Sequence, residues 1–247
     1  MTKDQVYSKK IRPSEVSVSS GSKFIGGVFL YVFLALAITS VVATGMGALF
    51  NFAIFKNSET AASSFIYILL ISVFAYIPVL IWARIAAARN GRTMTTAYIC
   101  YSAVMGVMIS SFTVLVDFYI IAMAFGLTCL SFGVMALIAW NTKKNLSILS
   151  VVASGLFFGV IMLFLFNFIL GLFLSDAQML TLSWTISTLV LVSVVLITVV
   201  DLNNVKQIAM NGGAGKNVAL MCALNLYVDF IYIFIRIVSY LVRMKSK

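Results

Sequence analysis

The chain has no histidine, two prolines, three cysteines and only seven acidic residues among its 247 positions. Without histidine, a zinc site, a haem site and a Ser-His or Cys-His catalytic pair all lose their usual ligand or base. Charged residues make up 10% of the chain, whereas a soluble domain carries about 25%. This fraction is too small to solvate a globular surface. The composition therefore argues against a soluble domain and leaves few residues for enzyme chemistry.

Two other features that might indicate chemistry do not support it. The stretch GGAGK at 212–216 has Met210 and Asn217 where a phosphate-binding loop needs Gly and then Ser or Thr. The cysteines all fall inside apolar runs, which favours packed thiols over disulfides; they are Cys100, Cys129 and Cys222. We therefore expect no enzyme activity and no bound cofactor.

Long apolar runs dominate what is present. Hydrophobic residues make up 62% of the chain, and the mean hydropathy is +1.10. A helix needs about 20 apolar residues to cross a bilayer, and these runs lack the alternation of a β-barrel. The sequence predicts an all-α integral membrane protein with seven transmembrane helices inside a domain at 24–242, between a polar tail at 1–23 and a basic tail at 243–247. The predicted helices cover 24–50, 61–83, 95–116, 118–140, 146–174, 178–200 and 217–241.

The positive charges predict the orientation of these helices. The net charge of +10 would favour nucleic acid on a soluble chain, but here the cations lie in short loops and tails. Cytoplasmic loops of membrane proteins carry an excess of Lys and Arg, and such loops contact anionic lipid. We therefore predict a cytoplasmic N-terminus, the lipid bilayer as partner and no nucleic acid. The cations of the tail and the even-numbered loops are Lys3, Lys9, Lys10, Arg12, Lys23, Arg84, Arg89, Arg92, Lys143, Lys144, Lys206 and Lys216, whereas the odd-numbered loops have Lys56 alone, with the acids Glu59, Asp117 and Asp176.

The last apolar segment does not fit this pattern. Seven full crossings would place the basic residues of the C-terminus outside; these are Arg243, Lys245 and Lys247. Either segment 217–241 crosses against the rule, or it enters and returns on the inner side. We favour the full crossing, because early helices usually set the orientation.

Helix five contains GLFFG at 155–159. Two glycines at this spacing allow a neighbouring helix to approach closely. We interpret this motif as ordinary packing within the bundle.

The last segment also carries an acid near its centre. At 100° per residue, Asn225, Asp229, Tyr232 and Arg236 share one face of the helix, and the rest is apolar. A carboxylate exposed to lipid is costly, so this stripe is expected to face the bundle interior or water. Asp201 is predicted at the cytoplasmic end of helix six. On the residues alone, Asp201 is either an interfacial residue that ends the helix or a functional acid.

Three stretches resemble the transmembrane Bax inhibitor motif (Bax inhibitor-1) family. ALNLYVDFIYIFIRI at 223–237 is similar to the C-terminal family signature, including Asp229. VVDLNNVKQIA at 199–209 keeps the acid as Asp201 but has Asn203 and Asn204 where Thr-Gln is usual. SFGVMALIAWNTKKNLS at 131–147 resembles the family's fourth helix and following loop.

This resemblance implies a fold and a site. The fold would be two groups of three helices around a central C-terminal helix. Asp201 and Asp229 would form a dyad that senses pH and lies on the ion pathway of a Ca²⁺ leak, with Ca²⁺ and protons as partners. Two carboxylates are few for Ca²⁺, which takes 6–8 oxygens, so we expect weak, transient binding. The location would be a bacterial-type plasma membrane. An alternative function in the family is regulation of an FtsH-type AAA+ protease in the membrane, with the N-terminal tail as its contact.

Two arginines are candidate gate or latch residues. In some relatives an Arg of helix two contacts the acid of helix six, and Arg84 matches that position. An alternative is that Arg84 only anchors helix two at the cytoplasmic surface. Arg236, two turns beyond Asp229, either reaches outward to the interface or pairs with an acid.

Overall fold

A computed structural model of the chain describes residues 13–55, 59–88, 93–142, 146–170 and 176–245. These residues form seven α-helices and no strand. The candidate cations of several loops lie outside the described residues; they are Lys3, Lys9, Lys10, Arg12, Lys56, Arg89, Arg92, Lys143, Lys144 and Lys247. The helices are α1 (Pro13–Phe55), α2 (Glu59–Ala88), α3 (Met94–Leu115), α4 (Phe118–Asn141), α5 (Ser147–Leu170), α6 (Asp176–Met210) and α7 (Lys216–Lys245).

Six of these helices, all except α5, are long and apolar enough to cross a membrane. In the described part of α5 the apolar stretch covers only Ile148–Leu163, so the crossing of α5 stays a prediction. Large apolar side chains lie on the outer surface of the bundle, for example Phe33, Phe74 and Leu137, which are 65–77% exposed. Such a surface is stable in lipid and unfavourable in water. The fold is that of an all-α membrane protein.

Helix α7 lies at the centre of the bundle. Helices α1, α2 and α3 pack against one another, and α6 packs against α4 and α5. Among the described residues, α7 contacts every other helix except α5. In the most apolar window of α7, 56% of the residues are buried, against 11% for α2. An acid on α7 is thus surrounded by protein and kept away from lipid.

Helix α1 begins earlier than the sequence predicted. The tail was expected to extend to residue 23, but the helical backbone starts at Pro13. Proline favours the first position of a helix, because its missing N–H has no intrahelical partner there. The polar residues before Ser20 therefore form an N-terminal extension of the helix, ahead of the apolar span that begins at Ser20.

Helix α6 ends later than predicted, at Met210 instead of residue 200. The end is set by Gly212 and Gly213, which have φ angles of +97° and +80°. Their N–H groups donate to the carbonyls of Ala209 (3.1 Å) and Ile208 (2.9 Å), the pairing of a Schellman C-cap. Asp201 therefore lies within α6, not at its end. The prediction was wrong because polar residues were taken to end a helix that in fact continues to the first residue able to adopt a positive φ.

Helix α7 is one uninterrupted helix of 30 residues, about 45 Å long at 1.5 Å per residue. It starts just after the end of α6. At its other end Lys245 forms an ion pair with Asp117, in the turn between α3 and α4, and the Arg243 guanidinium lies 4.2 Å from the ring centre of Trp184 near the start of α6. A segment that enters and returns on one side does not fit this geometry. The structure favours a full crossing.

Close helix approach occurs at glycines other than the predicted pair. A Cβ added to Gly106 of α3 would lie 2.7 Å from Val42 Cβ and 2.9 Å from the Thr39 carbonyl oxygen of α1. In contrast, a Cβ on Gly155 or Gly159 would have no neighbour within 4 Å among the described residues. The two glycines of GLFFG therefore make no close contact with the described residues, and the close approaches at glycines are between α1 and α3 and between α1 and α6.

We predict opposite effects for two Gly→Ala substitutions. Gly106→Ala should lower the thermal midpoint by several degrees, because overpacking costs about 1–3 kcal/mol. Gly155→Ala should leave the midpoint unchanged or raise it slightly, because alanine is the better helix former and the site is open. Thermal unfolding of the purified protein in detergent measures both. Equal shifts in the two variants would contradict the assignment.

Candidate functional site

Asp201 and Asp229 face each other across the contact between α6 and α7. Asp229 is buried, with 9% of its surface exposed, and Asp201 is half-buried. The two carboxyl groups are close enough to interact electrostatically. The structure thus brings together the two acids of the predicted dyad, from positions 28 residues apart in the sequence.

The surroundings of Asp229 satisfy only part of its carboxyl group. The Thr198 side chain, one turn before Asp201 on α6, shares a hydrogen bond with Asp229. Asp229 Oδ2 has no hydrogen-bond partner in the described part of the chain. Thr198 Oγ1 also lies 2.8 Å from the Val194 carbonyl, to which it can donate. Because one hydroxyl has one proton, Thr198 can serve either the carbonyl or the carboxylate at a given moment. A buried oxygen without a partner is costly, and a proton or a cation would lower that cost.

Asp201 borders a polar vestibule between α6 and α7. This cavity has a volume of about 430 Å³ and lies beside the α6–α7 turn. The Asn204 side chain hydrogen-bonds to Asp201, and Asn225 lines the same cavity. Cys222 also lines it. The vestibule gives the half-buried acid a route to solvent, whereas Asp229 lies deeper in the bundle.

Arg84 lies near both acids without an ion pair. It is an exposed residue in the last turns of α2, and it interacts electrostatically with Asp201 and Asp229. Among the described residues no ion pair within 4.0 Å joins an arginine to either aspartate. The position of Arg84 fits both alternatives: an anchor at the membrane surface, or a gate residue that does not contact Asp201 in this conformation.

The other residues of the predicted stripe divide into two sets. Asn225 belongs to the vestibule. Tyr232 and Arg236 interact with each other instead, with the guanidinium donating to the Tyr232 hydroxyl from Nη2 (2.9 Å) and to Ser187 Oγ on α6 from Nη1 (3.1 Å). The structure therefore places Arg236 in a hydrogen-bonded contact between α6 and α7, and not beside the dyad.

The oxygen donors near the dyad suit only a loosely held cation. No group of three or more Asp, Glu, Cys or His side chains occurs in the described part of the chain. Two carboxyl groups with the amides of Asn204 and Asn225 offer fewer charges than a tight Ca²⁺ site uses.

Sequence reasoning missed Thr198 and Asn204. They lie three residues before and after Asp201, so all three share one face of α6. Asn204 was missed because the predicted helix ended at residue 200, whereas the helix continues to Met210. Thr198 lay inside the predicted helix, but it was not connected with Asp201. The position of Cys222 in the vestibule was missed as well, although Cys222 lies three residues before Asn225 on the same stripe.

Together, the bundle of long apolar helices and the paired acids at its centre define a polytopic α-helical membrane protein with an intramembrane carboxyl site. The family model described as "Inhibitor of apoptosis-promoting Bax1" matches residues 21–247, and the chain belongs to this family. The resemblance seen in the three sequence stretches is thereby confirmed. A search of curated proteins gives no significant match.

The vestibule predicts charge-selective labelling of Cys222. In a variant with Cys100→Ser and Cys129→Ser, a cationic methanethiosulfonate should react with Cys222 several-fold faster than an anionic reagent of similar size. The reason is that the Asp201 carboxylate attracts the cation within a low-dielectric cavity. Mass spectrometry of the labelled protein gives both rates. Asp201→Asn should bring the two rates together, and equal rates in the parent would show that Cys222 does not share a cavity with an ionised Asp201.

Proposed function

We propose that this protein is a pH-sensitive cation leak channel of the membrane, with Ca²⁺ as the transported ion and Asp201 and Asp229 as its sensor. The observation that carries the proposal is the meeting of two acids at the α6–α7 contact, one of them buried with an oxygen that lacks a partner among the described residues. Acids inside a membrane domain are costly and mark ion or proton pathways. The polar vestibule beside Asp201 supports entry of a hydrated cation from that side.

The chemistry of the pair explains how pH would act. Two neighbouring carboxylates repel each other when both are ionised, so the pair gains and loses protons as a unit. The charged groups that face Asp229 are Asp201 on α6 and Arg84 on α2. Thr198 on α6 completes its polar neighbours. A change in the charge of the pair would therefore alter the attraction between α2 and the α6–α7 contact.

The sign follows from Arg84. At high pH the ionised pair attracts the guanidinium and holds α2 against α7, which favours a closed bundle. At low pH the pair takes up a proton, the attraction weakens, and α2 can move away. The flux is therefore expected to rise as the pH falls. An ion-conducting site must also bind weakly enough to release the ion, which two carboxyl groups allow.

We predict that Ca²⁺ flux into dye-loaded liposomes rises several-fold between about pH 8 and about pH 6, a range that a buried carboxyl pair can cover. Asp201→Asn and Asp229→Asn should each remove most of this pH dependence, because the remaining acid has no charged partner to repel it. Both substitutions keep the side-chain volume, so the bundle should stay folded.

Arg84 provides the matched control. Arg84→Gln should raise the flux at pH 8 towards the value at pH 6, and Arg84→Lys, which keeps the charge, should retain most of the pH dependence. A well-folded parent with no flux above that of empty liposomes would refute the channel proposal. A pH response that survives in both Asn variants would refute the role of the two acids as the sensor.

The second candidate is regulation of a membrane AAA+ protease through the N-terminal tail. One contact favours it: α1 packs tightly on the end of α6, since a Cβ on Gly21 would lie 2.3 Å from the Ala209 carbonyl oxygen. A partner that holds the residues before Pro13 would therefore pull on the helix that carries Asp201. The bacterial inner membrane and a cytoplasmic tail belong to this proposal as to the first.

Deletion of residues 2–12 separates the two candidates. The deletion should leave flux and its pH dependence unchanged, because it leaves the described helix α1, Pro13–Phe55, complete. It should abolish co-purification with an FtsH-type protease and any effect on substrate turnover by that protease. If flux is lost with the tail while the protein stays folded, the tail belongs to the ion pathway, and the separation proposed here is wrong.

A further inference from the structure

A long apolar cleft lies on the side of α7 away from the vestibule. It has a volume of about 570 Å³ and is lined by α1, α3, α4 and α7. Phe230, Ile231 and Phe234 line it from α7, on the face opposite to Cys222 and Asn225 at 100° per residue. These three side chains are at most 6% exposed. The cleft therefore reaches the central helix on the face that is turned away from the paired acids.

The cleft is open to the outer surface of the bundle between α1 and α4. These two helices do not pack against each other in the part of the chain that the structure describes. Ser40 and Thr44 on α1 and Ala122 and Phe125 on α4 line the cleft and are exposed, whereas its lining residues on α7 are buried. Both α1 and α4 are long and apolar enough to cross the membrane. A lipid chain can therefore enter from the bilayer and reach α7.

The cleft occupies one half of the membrane. On α1 it extends from Leu36 to Asn51, which is the second half of the apolar span Ser20–Phe52. This stretch is about 22 Å long at 1.5 Å per residue, and one leaflet of the hydrocarbon core is about 15 Å thick. The cleft thus runs from the level of the α3–α4 turn to the middle of the bilayer, as the acyl chain of a phospholipid does. The lining residues of α3 and α4 lie in the same half, beside that turn; they are Ile109, Thr113, Phe118, Ile121, Ala122 and Phe125.

The lining favours an apolar occupant over an ion or a polar ligand. None of the described residues that line the cleft is charged. Thr44 and Thr113 donate to carbonyls of their own helices, at 2.8 and 2.7 Å. The Thr39 hydroxyl donates to the Ser102 carbonyl of α3 (3.0 Å), so the Tyr227 hydroxyl of α7, 2.5 Å from the same oxygen, is the donor in the second bond. Because these hydroxyl protons are already used, a polar ligand would gain little from them.

The dimensions of the cleft exclude a helix of a second protein. Its volume divided by its length gives a mean cross-section of about 25 Å². A helix with its side chains is about 10–12 Å across, which corresponds to about 80–110 Å². The cleft therefore suits a single extended chain.

We propose that the cleft is a binding site for one acyl chain of a phospholipid in the leaflet beside the α3–α4 turn. The chain packs on Phe230, Ile231 and Phe234 and bridges α1 and α4. An unfilled apolar cleft forfeits the dispersion contacts of its lining, and the chain restores them. This site lies on the opposite face of α7 from the acids, so the inference does not depend on the proposed channel function.

Photolabelling of the full-length protein in liposomes tests the site. The bilayer is phosphatidylcholine with a small fraction of phosphatidylcholine that carries a diazirine in the middle of one acyl chain. After irradiation, mass spectrometry should find label on Phe230 or Phe234, which bulk lipid does not reach because both are buried. Leu220 and Leu224 are as buried and lie on a similar face of α7, but in the other half of the membrane. Their label should be at least fivefold lower.

Variants that fill the cleft provide the comparison. Ser40→Phe and Ala122→Phe each place a ring in the cleft from an exposed position, so each should lower the label on α7 at least fivefold. Ser154→Phe adds the same ring to an exposed serine of α5 outside the cleft, and it should leave the label on α7 unchanged. Label on Phe74 of α2, which is 77% exposed, should be equal in all variants, because bulk lipid reaches it.

A thermal measurement gives a second readout that needs no photolabel. Phosphatidylcholine added to the protein in detergent should raise the thermal midpoint of the parent and of Ser154→Phe by several degrees, because a ligand that binds only the folded state stabilises it. The rise should be at most half as large in Ser40→Phe and Ala122→Phe.

Four results would overturn the inference. The first is a parent in which Phe74 is labelled and α7 is not. The second is label on α7 from a free fatty acid with the same diazirine but not from the phospholipid. The third is equal label on α7 in the parent and in both filled variants. The fourth is an unlabelled α7 together with a disulfide-linked dimer of Ser40→Cys, which would assign the cleft to a second copy of the chain. None of these results bears on Ca²⁺ flux, so the proposed function is tested separately.

Discussion

The burial of one carboxyl group is the constraint on which the rest of the structure depends. Asp229 sits in the middle of an apolar helix, and exposure to lipid there would cost several kcal/mol. The helix must therefore be surrounded by others, and α7 contacts α1, α2, α3, α4 and α6. The partner acid, the Thr198 hydroxyl and the vestibule all lie where α6 meets that face of α7. The central position of α7 and the location of the site thus have a single physical cause.

The two faces of α7 differ in polarity and in the helices that they contact. One face, with Cys222, Asn225 and Asp229, is polar and meets α6 beside the vestibule. The other, with Tyr227 and Phe230, meets α1, α3 and α4 through aromatic and hydroxyl contacts. In a low-dielectric interior a carboxyl site and a buried hydrogen-bonded contact between helices need different surroundings. A helix with two unlike faces supplies both within a single span.

Family membership and site geometry answer different questions. The match over residues 21–247 gives the class of protein and its helical fold. The function proposed for this chain rests instead on its own side chains, namely the Asp229 oxygen without a partner among the described residues and Arg84 near both acids. Each of these features has a specific side chain that can be changed at constant volume. Substitutions in this protein, and not the properties of its relatives, therefore test the proposed function.

The sequence by itself determined the membrane class and the burial of Asp229, because hydropathy and helical periodicity are local properties of the chain. It also placed Asn225 and Asp229 on one face. Only the tertiary structure decided that α6 continues past Asp201, that Arg236 binds Tyr232 and Ser187 instead of an acid, and that Thr39 meets Tyr227. Residues 188 positions apart come together through helix packing. Packing of that kind leaves no periodic signal in the sequence, since it depends on where separate helices cross.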